Sequence, residues 1–283
     1  MVAALLTVFF VGRLVSLGTR RTPSEAKPRR MHLDKLTFGM ETGPGRPWME
    51  LVSWKPRAAL LHNFLTDREC DYLRDVSISK LKRSVVGNIN LQENETEVDG
   101  ARDSSGVFFS PRMGMEDKVS ARLRRRAALF TGIAEEQQEL VQVLRYEEGQ
   151  KYLPHFDAGI SNETGKFVEG YGRLATMLVY LQMPDQGGDT NFPEGERLAG
   201  RAPEPLGDAA TCQGKVGLSV KPRKGDALFF YSLDPTASYL DEASLHESCA
   251  VVGSSVDKWT VSIWMHRVGN PQYTNDFGTM SLW

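Results

Sequence analysis

Arg145 to Asp157 reads RYEEGQKYLPHFD and closes on His155-Phe156-Asp157. In an extended strand alternate side chains share a face, so His155 and Asp157 project together while Phe156 points the other way. One neutral imidazole and one carboxylate on a common face make two thirds of a 2-His-1-carboxylate set, the ligand type that holds non-haem Fe(II) with positions left open. A His-x-Asp by itself has little specificity, and a solvated or capping pair is its ordinary reading. The missing ligand must come from elsewhere. Of His62, His246 and His266, His62 sits inside an apolar strand and reads as a core or edge histidine, while His246 opens a strand 91 residues after His155. Taken alone, His246 is a strand-edge histidine. Lys258 follows it by 12 residues, directly before the strand WTVSIWMH. A lysine entering a barrel interior gives up hydration favourably only if it meets an anion, such as the distal carboxylate of an oxoacid. Its bland reading is an exposed lysine in a turn.

Outward from this stretch, the C-terminal half is a series of short strands. Leu140–Tyr146 and Lys151–Asp157 are followed by a loop over 160–172, the long apolar strand Arg173–Gln182, and a turn at Asp185-Gln186-Gly187-Gly188. A short strand through Thr190 and Phe192, a Pro/Gly/Ala-rich excursion over 194–214, and strands at Leu218–Lys221, Asp226–Leu233, His246–Val252 and Trp259–Val268 complete about eight. Many short strands at this spacing predict a sandwich or jelly-roll barrel. The N-terminal half predicts a strand at Ala58–Leu65, then a helix opened by the capping box Thr66-Asp67-Arg68-Glu69 ahead of Cys70, Tyr72, Leu73 and Val76. Glu116–Gly132 is a second helix with Val119, Leu123, Ala127 and Phe130 on one face; its run of arginines reads as a solvated face. The polar residues 87–106 read as a long loop. The fold class is thus α+β and mainly β, a helical N-terminal layer supporting a β barrel.

The 283 residues, 41% hydrophobic and 25% charged, suit a globular body with a sizeable core. The formal net charge of −2 is uneven: residues 1–31 carry +5, leaving −7 for the rest. A mildly acidic body argues against a nucleic-acid partner. Residues 1–18 contain twelve apolar or small residues before Arg13, short for a membrane span of about 20. They fit a signal peptide or signal anchor, although the basic residues follow the apolar run instead of preceding it, and an organellar transit peptide is the competing reading. Residues 19–48, rich in Pro, Arg and Gly, read as a linker, leaving 49–283 as the folded domain. The cysteines Cys70, Cys212 and Cys249 include no CxxC, which disfavours a thiolate zinc site; one disulfide is compatible with an oxidising compartment, its pairing open. Asn94-Glu95-Thr96 and Asn162-Glu163-Thr164 are glycosylation sequons in loops, consistent with an endoplasmic reticulum or Golgi lumenal location, membrane-anchored or secretory.

From about Leu51 to Val268 the chain resembles the catalytic domain of prolyl 4-hydroxylases, especially the plant and algal peptidyl-proline type. The resemblance rests on SWKPRAALLHNFL, TDRECDYL, SSGVFF, VLRYEEGQKYLPHFDAG, RLATMLVYL, GGDTNFP, GLSVKPRKGDALFFYSL, SLHESC and KWTVSIWMH, in the family's order and spacing. It implies the double-stranded β-helix (jelly-roll) barrel of the Fe(II)/2-oxoglutarate dioxygenases. It also implies His155, Asp157 and His246 as iron ligands, Lys258 as the partner of the distal oxoglutarate carboxylate, and Thr190 and Tyr146 as hydrogen-bond donors to that carboxylate. Tyr152, Arg173, Trp264 and His266 match positions lining the peptide channel. The implied reaction hydroxylates peptidyl proline to 4-hydroxyproline, using O2, converting 2-oxoglutarate to succinate and carbon dioxide, and keeping iron active with ascorbate. An aromatic groove suits a proline-rich peptide, because polyproline II is a stiff, low-entropy ligand. Three departures stand out. Lys258 lies two residues farther from the distal histidine than is usual, with an insertion across Gly253–Asp257; Ile263 stands where a second lysine is common, and Ala250 where a proline is. Residues 84–106 and 160–172 are expected as lids. The alternatives are a 2-oxoglutarate dioxygenase acting on lysyl residues or a small molecule, and a silent barrel that only binds proline-rich peptides.

Overall fold

The computed structural model describes residues 31–32, 47–84, 102–109, 118–159, 172–198, 212 and 217–267. The predicted signal segment, both sequons and most of the two expected lids lie outside these residues. So does most of the predicted linker, though its Met31–His32 (β1) pairs with Trp48–Trp54 (β2). The strands that follow are β3 (Arg57–His62), β4 (Lys82–Arg83), β5 (Ser105–Phe108), β6 (Gln142–Tyr146), β7 (Tyr152–His155), β8 (Arg173–Gln182), β9 (Thr190–Phe192), β10 (Leu218–Val220), β11 (Ala227–Tyr231), β12 (His246–Ser248) and β13 (Lys258–His266). Two α-helices, α1 (Asp67–Ile78) and α2 (Lys118–Thr131), and two 3-10 turns, Glu135–Gln137 and Glu242–Ser244, complete the described elements. Among the described residues no helix is long and apolar enough to cross a membrane.

The strands form two antiparallel sheets. The larger runs β1-β2-β3-β11-β8-β13-β6-β5-β4, and the smaller β10-β9-β12-β7. At the centre of the larger sheet, β8 and β13 are covered on both faces. That is why RLATMLVYLQ is a nearly continuous apolar run instead of an alternating one. On one face, Met177, Val179, Leu181, Val261 and Ile263 pack with Cys70 and Leu73 of α1 and Leu123 and Ala127 of α2. On the other, Tyr180, Leu228 and Phe230 meet Phe192, Leu218 and Val220 of the smaller sheet. Residues that alternate along β8 and β13 therefore serve two layers. The layer between the sheets also receives buried polar side chains, Thr176, Thr260, Ser262 and Lys258 among them.

Helix α1 begins where its sequence predicts. The Thr66 side chain accepts from the Glu69 backbone N–H, and the Glu69 carboxylate accepts from the Thr66 N–H in return, satisfying two otherwise orphaned donors. One expectation about α2 is corrected. Arg126 is not on a solvated face: it lies three residues after Leu123, on the buried stripe, where its guanidinium donates to the Phe64 carbonyl and pairs with Glu69 at 2.9 Å. The segment read as a loop over 87–106 also ends in structure, because Ser105–Phe108 is the strand β5, paired with β6. The cysteine pairing is Cys212–Cys249, with Cys70 free and buried.

Candidate metal centre

β7 and β12 are neighbours in the smaller sheet, and His155 and His246 are register partners across them. Residues paired across an antiparallel ladder point to the same face, so both imidazoles leave the sheet together. Their ring centroids are 4.3 Å apart. Asp157 lies beyond the end of β7, in a bend, and not in strand alternation with His155 as the sequence suggested. Pro154 and the edge position of β7 explain the early end: proline offers no N–H to a ladder and is tolerated at a sheet edge. The bend still delivers the carboxylate. One ligand atom from each of His155, Asp157 and His246 lies within 4.8 Å of the others.

Each imidazole is oriented by its own backbone. His155 Nδ1 donates to the Leu153 carbonyl and His246 Nδ1 to the Ser244 carbonyl, both at 2.9 Å. Fixing the proton on Nδ1 leaves both Nε2 atoms with free lone pairs. These face Asp157, at 3.8 Å from Oδ1 for His155 and 3.6 Å from Oδ2 for His246. Burial, together with the neighbouring imidazole, holds His155 well below the usual histidine range, so it is neutral. Burial opposes the charge on Asp157, but the Arg173 guanidinium and the Thr176 hydroxyl, which act whatever the charge of the imidazoles, favour the ionised carboxyl. Thr176 Oγ1 donates to Asp157 Oδ2 at 2.6 Å. The rings of Phe230 and Phe192 lie 4.8 and 5.8 Å from that of His246 and shield its inner side. Two imidazole Nε2 atoms and one carboxylate, converging from one side, fit a divalent first-row metal with open positions.

The second half of the site lies where the two sheets face each other. Lys258 begins β13 opposite Tyr146 of β6. Its side chain is only 1% exposed. Nζ donates to Ser248 Oγ at 2.7 Å and lies 5.4 and 5.9 Å from the ring centres of Tyr146 and Tyr180. No carboxylate among the described residues forms a salt bridge with it. Burial pulls the ammonium down to about 7, against the weaker opposing pull of Asp189. Thr190, in register with Ser248, shares a 2.7 Å hydrogen bond with the Tyr180 hydroxyl. Gly188 sits beside this chain at φ +70, where an added Cβ would come 3.4 Å from Lys258 Cδ and 2.8 Å from the Pro184 ring. The GGDT glycine is therefore required by a close approach. A buried lysine bonded to one serine hydroxyl and flanked by two tyrosine rings, with no carboxylate in salt-bridge range among the described residues, fits the carboxylate of a small anionic ligand.

The two-residue insertion is absorbed in a turn. Gly253 and Ser254 donate backbone N–H groups to the Glu148 carboxylate, and Asp257 pairs with Arg145 at 2.8 Å. Lys258 consequently enters β13 in register despite the longer connection.

The residues expected to line a peptide channel form a row beside the histidines. Tyr152 stacks on His155, with centroids 3.6 Å apart, and Arg102 lies over its other side at 4.9 Å. Arg173 covers the Trp264 ring at 3.7 Å and makes a two-pronged pair with Glu139 at 2.6 and 3.0 Å. His266 Nε2 meets the same carboxylate at 2.9 Å. Burial opposes ionisation of Glu139, but Arg173 and His266 hold it at about 2. Sequence reasoning missed Glu139, Thr176, Tyr180 and Ser248. Thr176 and Tyr180 carried a signal as polar groups four apart in an otherwise apolar strand. Ser248 carried one as the residue two beyond His246.

The 2OG-Fe(II) oxygenase superfamily model matches residues 141–266, a span that holds every sequence-predicted site residue. Probable prolyl 4-hydroxylase 3 of Arabidopsis thaliana is 40% identical over 222 residues, covering 78% of this chain and 73% of that one. Prolyl 4-hydroxylase 5 of the same plant is 40% identical over 232 residues, covering 82% and 76%. The chain belongs to the prolyl 4-hydroxylase family. Among solved structures, the viral collagen prolyl hydroxylase of Paramecium bursaria Chlorella virus-1, in its 2-oxoglutarate complex, is similar at TM-score 0.51 and 26% identity, covering 75% of this chain and 96% of that one. The superfamily that the chain matches is one of Fe(II) and 2-oxoglutarate oxygenases.

Proposed function

We propose that the protein is an Fe(II)- and 2-oxoglutarate-dependent dioxygenase that hydroxylates proline in peptides to 4-hydroxyproline. The observation that carries this is the occurrence of the His155–Asp157–His246 cluster together with a buried Lys258 that has no salt bridge among the described residues, in a member of this family. The two packed antiparallel sheets fit the double-stranded β-helix of the superfamily. Iron(II) with 2-oxoglutarate and O2 supplies the oxidising chemistry, in which one oxygen atom enters a proline C–H bond and the other enters succinate as carbon dioxide leaves. Ascorbate is the reductant that keeps the metal ferrous.

The protein's own part is orientation and exclusion of water. His155 and His246 present Nε2, and Asp157 presents a carboxylate. Lys258 turns from Ser248 to the distal carboxylate of 2-oxoglutarate, a charge-assisted bond in a dry pocket. Thr190 and Tyr146 complete the recognition of that carboxylate. Tyr152, Trp264, Arg173 and His266 line the peptide path. Glu139 binds both Arg173 and His266, fixing the two side chains together. An aromatic and guanidinium row of this kind suits the flat, preformed polyproline II helix. A peptide screen tests the assignment: proline-rich peptides should gain oxygen on proline, and oxygen on lysine in lysine-bearing peptides would overturn it.

We further propose a lumenal location in the endoplasmic reticulum or Golgi, with residues 1–18 as signal anchor or signal peptide, 19–48 as linker and 49–283 as the catalytic domain. The Cys212–Cys249 disulfide and the sequons at Asn94 and Asn162 support it. Native protein should shift in mobility on deglycosylation, and an unglycosylated protein with reduced cysteines would contradict the location.

A further inference from the structure

We propose that Thr176 is the positioning residue that reserves one oxygen of Asp157 for the metal and keeps the carboxylate a one-armed ligand. The inference rests on the reading of His155, Asp157 and His246 as metal ligands. Thr176 lies in the middle of β8, in register with Phe230 of β11 and Trp264 of β13, and is 2% exposed. A hydroxyl buried in such surroundings must find a partner. It finds Asp157 Oδ2, at 2.6 Å, the short distance of a bond to an ionised acceptor. An ionised carboxylate only accepts, so the threonine is the donor.

The consequence concerns the other oxygen. Both oxygens face a histidine, Oδ1 at 3.8 Å from His155 Nε2 and Oδ2 at 3.6 Å from His246 Nε2, but Oδ2 already accepts from Thr176, which leaves Oδ1 as the oxygen with no short hydrogen bond. The Arg173 guanidinium is also near it, but its Nη1 lies 3.9 Å away while its Nε and Nη2 are held by Glu139. Asp157 stands in a bend beyond β7, so strand pairing does not fix its carboxylate plane. The Thr176 hydrogen bond is what fixes it. A one-armed carboxylate and two imidazoles fill three of six positions; a two-armed carboxylate would take a fourth and leave too few for a chelating oxoacid and O2 together.

Thr176→Val keeps the shape and removes the donor, whereas Thr176→Ser keeps the donor. The test uses the full chain, with anaerobic Co(II) titration followed by absorption and calorimetry, so the readout is metal binding and not turnover. Thr176→Val should bind Co(II) about 10–100-fold more weakly than wild type, the usual cost of losing such a partner. Thr176→Ser should bind like wild type. Wild-type affinity and spectrum in Thr176→Val would overturn the proposal, as would equal loss in both variants, which would mean that packing and not the donor matters. Where Thr176→Val fails to fold, Thr176→Ala replaces it in the same comparison. Failure of wild type itself to bind Co(II) would instead overturn the ligand assignment, so the two readings fail separately.

Discussion

Asp157→Ala is expected to remove both metal retention and 2-oxoglutarate turnover while leaving the fold in place. Loss of a residue that merely orients a ligand costs about 10–100-fold in metal affinity or activity, and loss of the ligand itself must exceed that. Removing the carboxylate leaves His155 and His246 4.3 Å apart with nothing between them to balance a divalent charge. The backbone of β7 and β12 should not notice, because Asp157 lies outside their ladder and outside the apolar clusters. Metal content after anaerobic purification, circular dichroism and succinate release check the three parts of this expectation. A folded Asp157→Ala protein that retains iron and turns over oxoglutarate would remove the carboxylate from the site.

Lys258→Met should weaken 2-oxoglutarate binding by roughly 2–5 kcal/mol, the cost of truncating one partner of a buried charge pair. That is a factor of about 30 to several thousand in Kd. The same residue predicts a pH dependence. In the ligand-free protein the ammonium is charged below about pH 7 and neutral above it, whereas an unperturbed lysine stays charged to 10.5. An incoming carboxylate favours the charged form, so 2-oxoglutarate binding should take up a proton above pH 7 and weaken as pH rises. The sign is opposite for stability of the free protein. Its lysine is deprotonated where the unfolded chain's is not, so this residue makes the fold more stable as pH climbs from 7 towards 10.5. Below pH 7, where the uncompensated charge is buried in full, Lys258→Met should be the more stable protein. Calorimetry in buffers of different ionisation heat reads the proton uptake. Equal uptake in wild type and Lys258→Met would show that the lysine does not meet the ligand.

Much of this was legible in the residues because local chemistry and tertiary need agree. RLATMLVYLQ is apolar on both sides since β8 is covered on both sides, and the Thr66–Glu69 capping box starts α1 where it stands. His155, Asp157 and His246 were readable from a short spacing and a resemblance spread over the chain. The illegible parts depend on partners far away in sequence. Ser105–Phe108 is a strand because β6 and β4 pair with it, and Arg126 leaves solvent because Glu69 and the Phe64 carbonyl receive it. Glu139 gains its role from Arg173, 34 residues on, and His266, 127 residues on. The Cys212–Cys249 pairing follows from the path of the chain around β12, which no spacing encodes. Asp157 joins the cluster by a different geometry from the one that nominated it: the strand alternation ends at His155, and a bend whose carboxylate accepts from Thr176 brings it there instead.

The most direct test of the account is succinate release by the purified protein with Fe(II), 2-oxoglutarate and ascorbate, with and without a polyproline peptide. The account predicts release that the peptide stimulates, matched by a gain of one oxygen on proline. Iron-loaded protein that turns over no oxoglutarate in the peptide's presence would contradict it and leave a domain that only binds.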